Sequence, residues 1–274
     1  MANASPDYPS AHGLLNGRSA VVTAAAGAGI GGATARRFLE EGAEVVLGDA
    51  HARRLKETVE ALAGEFGADR VAGTVCDVTD EQQVAALLEL AEARHGRLDI
   101  LVNNAGLGGT ATLEEMTDEQ WDRVLDVTLT GTMRCTRAAL RRFRARGAAG
   151  ASTGPSTGAG AGVIVNNASV VGWRAQAGQS HYAAAKAGVM ALTRCAAVEA
   201  ADLGIRVNAV APSLAMHPHL AKVTTPELLE ELTAREAFGR WAEPWEVANV
   251  IVFLASGYSS YLTGEVVSVS SQHP

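Results

Sequence analysis

Seven short runs rich in β-branched and other apolar residues punctuate the chain: SAVVT, AEVVLGD, RVAGTVCD, LDILVNNAG, GVIVNNAS, IRVNAVAP and GEVVSVS. Most are apolar almost without interruption, the pattern of strands buried on both faces. Between them lie stretches such as ARRLKETVEALAGEF and DEQQVAALLELAEARHG, and residues 33–41, whose apolar spacing predicts amphipathic helices. Strands alternating with helices in one unbroken series predict a single α/β domain. Its core is a doubly wound parallel sheet of seven strands with helices on both faces.

Two segments stand outside the alternation. Residues 1–13 contain Pro, Ser and Asn without a basic or apolar signal region, and are expected to be a flexible tail preceding one domain over 14–274. Residues 147–162, GAAGASTGPSTGAGAG, are uncharged and of low complexity, the composition of a flexible surface loop.

Composition narrows the class. The chain is 47% hydrophobic and 19% charged, with a net charge of -7, a soluble globular balance that argues against non-specific nucleic-acid binding. The basic cluster RAALRRFRARG at 137–147 is expected to be the solvated face and end of a helix. Cys76, Cys135 and Cys195 are odd in number, far apart and without metal-ligand spacing, so they read as small apolar residues in a reducing compartment. No apolar run approaches the roughly 18 residues of a membrane helix. A cytoplasmic protein without metal, membrane or nucleic-acid partners is expected.

The chemistry concentrates where strands end, because a sheet of this kind binds ligands beyond its carboxyl edge. After the first strand comes TAAAGAGIGG, in which Gly27, Gly29 and Gly31 or Gly32 allow a sharp turn and the close approach of a pyrophosphate to a helix N-terminus. Alanines at 24 and 25 stand where a glycine usually follows Thr23. Asp49 ends the second strand, where a carboxylate accepts hydrogen bonds from both hydroxyls of an adenosine ribose and repels a 2′-phosphate. That favours NAD over NADP. Arg53 and Arg54 follow on the next helix. Asp77 ends the third strand and can hold an adenine edge, while the fourth ends in NNAG at 103–106. In HYAAAKAGVMALTRC, Tyr182 and Lys186 are four residues apart and share one helix face. A nearby ammonium favours the phenolate and is expected to lower the tyrosine pKa toward that of a proton-transfer group. Ser169, after the fifth strand, is placed to reach the same oxygen.

Together the glycine loop, NNAG, Ser169 and YAAAK resemble the short-chain dehydrogenase/reductase family, in its order and over about residues 14–270. The resemblance implies a seven-stranded Rossmann sheet and hydride transfer between a secondary alcohol and a ketone. It assigns Tyr182 as acid/base, Ser169 as stabiliser of the reacting oxygen, and Lys186 as pKa-lowering group and nicotinamide-ribose ligand. Cofactor contacts would come from Thr23, Ala25, Gly27, Gly29, Ile30, Gly31, Asp49, Asp77, Val78, Asn104, Ala105, Gly106, Pro212 and Ser213. Three positions depart from the family pattern. Thr128, in DVTLTG, stands where an asparagine usually supports a water relay to the lysine. Ser213 replaces the glycine after Pro212, with His217 in place of a threonine. The chain ends SVSSQHP. GWRAQAGQSHYAAAKAGVMALTRC, AFGRWAEPWEV and SQHP are further similar to actinobacterial members that act on bicyclic hydroxy- or keto-acyl-CoA compounds from steroid rings. On that resemblance residues 213–240 form a substrate lid, Arg174 and His217, with His219 and Lys222, line the substrate mouth, and a CoA thioester is among the expected partners. A homodimer or homotetramer through the helices carrying WDRVLDVTLTGTMRCTRAALRRF and YAAAKAGVMALTRCAAVEAA is also expected. Two rival readings remain at this point: an NADP-dependent 3-oxoacyl thioester reductase, and a catalytically silent NAD-binding regulator.

Overall fold

The computed structural model describes residues 5–148, 162–216 and 226–272. Each apolar run forms a strand: β1 (Ser19–Thr23), β2 (Glu44–Asp49), β3 (Val71–Val75), β4 (Ile100–Asn103), β5 (Gly162–Asn167), β6 (Ile205–Pro212) and β7 (Val266–Val269). All pair in parallel, in the order β3-β2-β1-β4-β5-β6-β7, giving the expected single doubly wound sheet. The helices are α1 (Ile30–Glu40), α2 (Ala52–Phe66), α3 (Glu81–His95), α4 (Asp118–Leu125), α5 (Gly131–Ala148), α6 (Ser180–Ala200), α7 (Pro226–Ala234) and α8 (Pro244–Ala255). A π-helical turn, Asp126–Thr130, joins α4 to α5.

Strand side chains alternate between two cores. Ala20, Val22, Val45, Leu47 and Val165 pack under α1, α2 and α8 through Phe38, Leu62 and Ile251. Val21, Val46, Leu101 and Ile164 pack on the other side under α3, α5 and α6 through Leu87, Phe143 and Ala197. Burial on both faces is why the strands read as continuous apolar runs. Buried Arg206 on β6 locks α8 in place, donating to the carbonyls of Leu254 (2.8 Å) and Ser256 (2.9 Å), where the helix runs out of its own partners.

Several sequence expectations change. Residues 5–13 are docked rather than a free tail: Tyr8 donates to Glu40 (2.9 Å), packs tilted against Trp245 with ring centres 5.2 Å apart, and lies under the Arg37 guanidinium. The backbone N–H groups of His12 and Leu14 both donate to the buried Glu41 carboxylate. The basic cluster on α5 is not simply solvated. Arg142 pairs with Glu89 and Glu92 of α3, and Arg146 turns in to the Leu98 carbonyl and the Asp99 carboxylate. Cys76 and Cys135 are buried as expected, but Cys195 is exposed on α6. Helix α1 begins at Ile30, three residues before the apolar pattern starts. Residues 149–161 of the low-complexity segment lie outside the described residues.

Sheet order reverses at β1, which has β2 on one side and β4 on the other, and this opens a crevice at the carboxyl edge. Thr23, Asp49, Asn103, Asn167 and Pro212 are the last residues of their strands and rim that edge.

Candidate active site

The loop after β1 is shaped by backbone conformation. Ala24 takes the place of the missing glycine yet adopts its conformation, with φ +49°, at a cost of about 1–2 kcal/mol for a residue with a Cβ. Gly27 turns at φ +93° with open space where a Cβ would point. A Cβ on Gly31 would strike the Ala24 carbonyl and approach Asn104 Nδ2 to 2.5 Å, and one on Gly32 would overlap the Gly27 carbonyl. These two glycines let α1 start directly against the loop. Gly29 caps α1 without a side-chain hydrogen bond, so the first-turn N–H groups have no capping oxygen competing with an anion. Such a cradle fits a pyrophosphate.

Asn104 ties the loop to the neighbouring strand, its Nδ2 donating to the carbonyls of Thr23 (3.2 Å) and Ala24 (3.1 Å). Thr23 Oγ1 in return accepts from the N–H groups of Asn104 and Ala105, both at 3.0 Å. Asp49 is buried, its carboxylate accepting from Ala26 N (3.1 Å) and His51 N (2.8 Å), with Arg54 3.9 Å away. It therefore braces the loop while keeping acceptor capacity for a ribose. One Asp77 oxygen is taken by the N–H (2.9 Å) and hydroxyl (2.8 Å) of Thr79 in a tight turn, and Val78 is buried against Gly131.

Ser169, Tyr182 and Lys186 come together as expected. Ser169 follows β5; its Oγ donates to the Pro212 carbonyl at 3.4 Å and shares a hydrogen bond with the Tyr182 hydroxyl. Tyr182 and Lys186 sit in the opening turns of α6, with Lys186 Nζ 5.5 Å from the tyrosine ring centre. The expected lowering of the tyrosine pKa is corrected by the geometry. Burial pushes the phenol up to about 12, with the Ser169 hydrogen bond acting in the opposite direction. Lys186 is itself driven down to about 8 by burial, and its ammonium is turned to the Asn167 carbonyl at 2.5 Å. Tyr182 is thus a protonated donor at neutral pH.

Thr128 lies in the π-helical turn, buried, and does not bond Lys186. Its hydroxyl donates to the Leu107 carbonyl (3.0 Å) and accepts from the Leu107 N–H (2.9 Å). Its one proton goes to that carbonyl, so it anchors the loop after β4. Gly106 lies between these groups, where a Cβ would stand 3.4 Å from Lys186 Nζ. Behind the rim, Asn103, Asn166, Thr136 and Thr193 form a buried polar network with bonds of 2.9 Å. Asn167 Nδ2 donates to Asn104 Oδ1 at 2.9 Å, while Asn167 Oδ1 is buried with no protein partner.

Arg174, on the loop after Ser169, donates from Nη1 to Gln272 Oε1 at 2.6 Å, and Gln272 Nε2 donates to the buried Glu236 at 3.0 Å. Ser213 N bonds the Val269 carbonyl at 3.2 Å. Trp173, next to Arg174, and Phe238, two residues after Glu236, are half exposed. Sequence reading singled out neither Gln272 nor Glu236, because they meet Arg174 only through tertiary packing. His217, His219 and Lys222 lie outside the described residues, as do 217–225 of the lid region.

Comparison with known proteins gives a consistent picture. The family model described as "Enoyl-(Acyl carrier protein) reductase" (adh_short_C2) matches residues 24–271. The chain is 61% identical, over 98% of its own length and 98% of the relative's, to the (5R,7aS)-5-hydroxy-7a-methyl-1-oxo-2,3,5,6,7,7a-hexahydro-1H-indene-carboxyl-CoA reductase of Mycobacterium tuberculosis. It is 44% identical to the cis-4-hydroxycyclohexanecarboxylate dehydrogenase of Sinomonas cyclohexanicum, covering 92% of this chain and 94% of that protein. A crystal structure of a short chain dehydrogenase from Mycobacterium smegmatis superposes with a TM-score of 0.83 at 57% identity, covering 99% of both chains.

Proposed function

Because the chain belongs to the short-chain dehydrogenase/reductase family, we propose that it interconverts a secondary alcohol and a ketone on a bicyclic acyl-CoA, using NAD. The observation that carries this reading is the meeting of Ser169, Tyr182 and Lys186 at the rim in a chain 61% identical to a hexahydroindene-carboxyl-CoA reductase. A methyl-bearing hydroindene is the skeleton of two fused steroid rings, so a steroid-derived substrate follows from the chemistry of that name.

Bound NAD(H) supplies or accepts the hydride. Tyr182 holds the proton at its phenol oxygen and passes it to the nascent alkoxide in reduction, a role that suits a group still protonated at neutral pH. Ser169 hydrogen-bonds the same substrate oxygen, stabilising the charge that develops there. Lys186 holds the nicotinamide ribose, Asp49 the adenosine ribose, and the loop from Thr23 to Gly31, including Ala25 and Ile30, holds the pyrophosphate. Asp77, Val78, Asn104, Ala105, Gly106, Pro212 and Ser213 complete the cofactor side. A homodimer or homotetramer in the cytoplasm is part of the same proposal, supported by apolar Val198 standing 79% exposed on α6. Among the described residues no helix is long and apolar enough to cross a membrane.

The test is turnover of a keto-hydroindene-carboxyl-CoA by the purified chain, with NADH and NADPH in parallel and a 3-oxoacyl thioester as competitor. NADH-dependent reduction of the bicyclic ketone is expected. Tight NAD binding without turnover of any alcohol or ketone would overturn the proposal in favour of a silent binding protein.

A further inference from the structure

The carboxyl-terminal tail, after the last strand, reaches back over the substrate side of the site. Ala237 N donates to the Ser271 carbonyl at 2.8 Å, and Glu236 and Gln272 form an isolated antiparallel bridge. Glu236 is 5% exposed, and its carboxylate accepts from Ser271 Oγ (2.8 Å), Gln272 Nε2 (3.0 Å) and Leu214 N (3.4 Å). The Gln272 amide therefore has a set orientation, with NH₂ toward the carboxylate and its oxygen toward Arg174. Arg174 sits five residues beyond Ser169 and eight before Tyr182, its backbone N–H bonded to the Val170 carbonyl at 3.0 Å. Its guanidinium is held by a neutral amide, and no carboxylate among the described residues pairs with it.

A guanidinium oriented by one donor bond and left unneutralised keeps most of its donors for a ligand oxygen. We propose that Arg174 binds an oxygen of the thioester arm of the substrate, and that Gln272 is the positioning residue that orients it. The arm has two sources of such an oxygen, the thioester carbonyl and the phosphates of coenzyme A. The inference rests on the acyl-CoA reading above, and deepens it by naming the group that recognises the arm. The tail thus becomes part of the specificity apparatus, joining the loop after Ser169 to the segment before α8.

The test uses the full chain with saturating NADH and three ketones: a keto-hydroindene-carboxyl-CoA, its N-acetylcysteamine thioester, and the parent bicyclic ketone with no thioester. Arg174→Ala should raise KM for the CoA thioester about tenfold or more relative to the parent ketone. If the N-acetylcysteamine thioester suffers equally, the carbonyl is the oxygen bound; if only the CoA form suffers, it is a phosphate. Gln272→Ala should move the same ratio in the same direction, by about threefold or more, with kcat little altered. The pair Glu236→Gln with Gln272→Glu preserves the bonding of the tail but places a carboxylate against Arg174. It should keep the thioester KM high, whereas a tail with only a scaffolding role would regain wild-type values. Binding of the CoA thioester, measured by calorimetry, makes the result independent of turnover. Equal affinity in wild type and Arg174→Ala, or no binding to wild type, overturns the inference. Failure of all three ketones to react would instead count against the dehydrogenase reading.

Discussion

Thr128 and Leu107 exchange two hydrogen bonds, from the threonine hydroxyl to the Leu107 carbonyl at 3.0 Å and from the Leu107 N–H to the hydroxyl at 2.9 Å. A side chain from the π-helical turn thereby holds the backbone of the loop after β4, next to Gly106 and Lys186. Thr128→Val keeps the shape and strands both Leu107 groups. We expect a loss of about 1–3 kcal/mol in stability. Turnover should fall less than in Tyr182→Phe, which removes the proposed proton donor and should cost about a hundredfold or more. Urea unfolding and single-turnover hydride transfer on both variants check this. A valine variant of unchanged stability would show that the loop does not depend on this anchor.

Ala24 is the one residue other than glycine at positive φ among the described residues. Replacing it with glycine should relieve about 1–2 kcal/mol of conformational strain, partly offset by the greater freedom of glycine in the unfolded chain. A net stabilisation of about 0.5–1 kcal/mol is expected, while Ala24→Val, with a β-branched side chain at this φ, should destabilise. A glycine variant less stable than wild type in urea would contradict a strained loop.

Cofactor choice should turn on Asp49. Its carboxylate opposes a 2′-phosphate, and Arg54 stands 3.9 Å from it. Asp49→Ser removes the negative charge and leaves the arginine to meet the phosphate, so kcat/KM with NADPH relative to NADH should rise tenfold or more, about 1.4 kcal/mol. Because Asp49 also accepts from Ala26 N, some loss of stability should accompany the switch. An unaltered NADH/NADPH ratio would remove Asp49 from the ribose site.

Lys186 should leave a pH signature on folding. Burial lowers it from the ordinary value of 10.5 to about 8. Below pH about 8 the lysine is charged in both folded and unfolded chains, and the fold bears the cost of burying the charge. Between about 8 and 10.5 the folded chain has shed its proton while the unfolded chain keeps it, so stability rises with pH. Tyr182, held protonated up to about 12, works the other way only above the ordinary phenol value of 10.0. Without added nucleotide, Lys186→Met should be more stable than wild type near neutrality by roughly 2–3 kcal/mol. The gap should shrink by more than half by about pH 9.5. A gap independent of pH, in thermal unfolding across that window, would show that the lysine does not titrate there.

The sequence alone determined the sheet, because strands buried on both faces must be apolar along their whole length, and Val21 and Val22 read alike although they serve opposite cores. It also singled out residues that the fold then gathers at one rim. Tyr182 and Lys186 are one helical turn apart, a local relationship that spacing reveals; Asp49 ends β2 and Ser169 comes two residues after the end of β5, and topology sends both to one edge. Tertiary structure decided what depends on distant neighbours. The tyrosine pKa rises because burial outweighs the Ser169 hydrogen bond, while the Lys186 ammonium is turned to the Asn167 carbonyl; neither burial nor that orientation is written in a four-residue spacing. Thr128 became a loop anchor because Leu107, 21 residues away, takes both of its hydrogen bonds. Residues 5–13 are docked because Arg37, Glu40 and Trp245 converge on Tyr8. Arg174 found Gln272 at a separation of 98 residues, a contact that exists only because the tail folds back over the rim. Periodicity records how a segment meets the core; it carries no record of which polar groups, far apart along the chain, will have to satisfy one another once water is excluded.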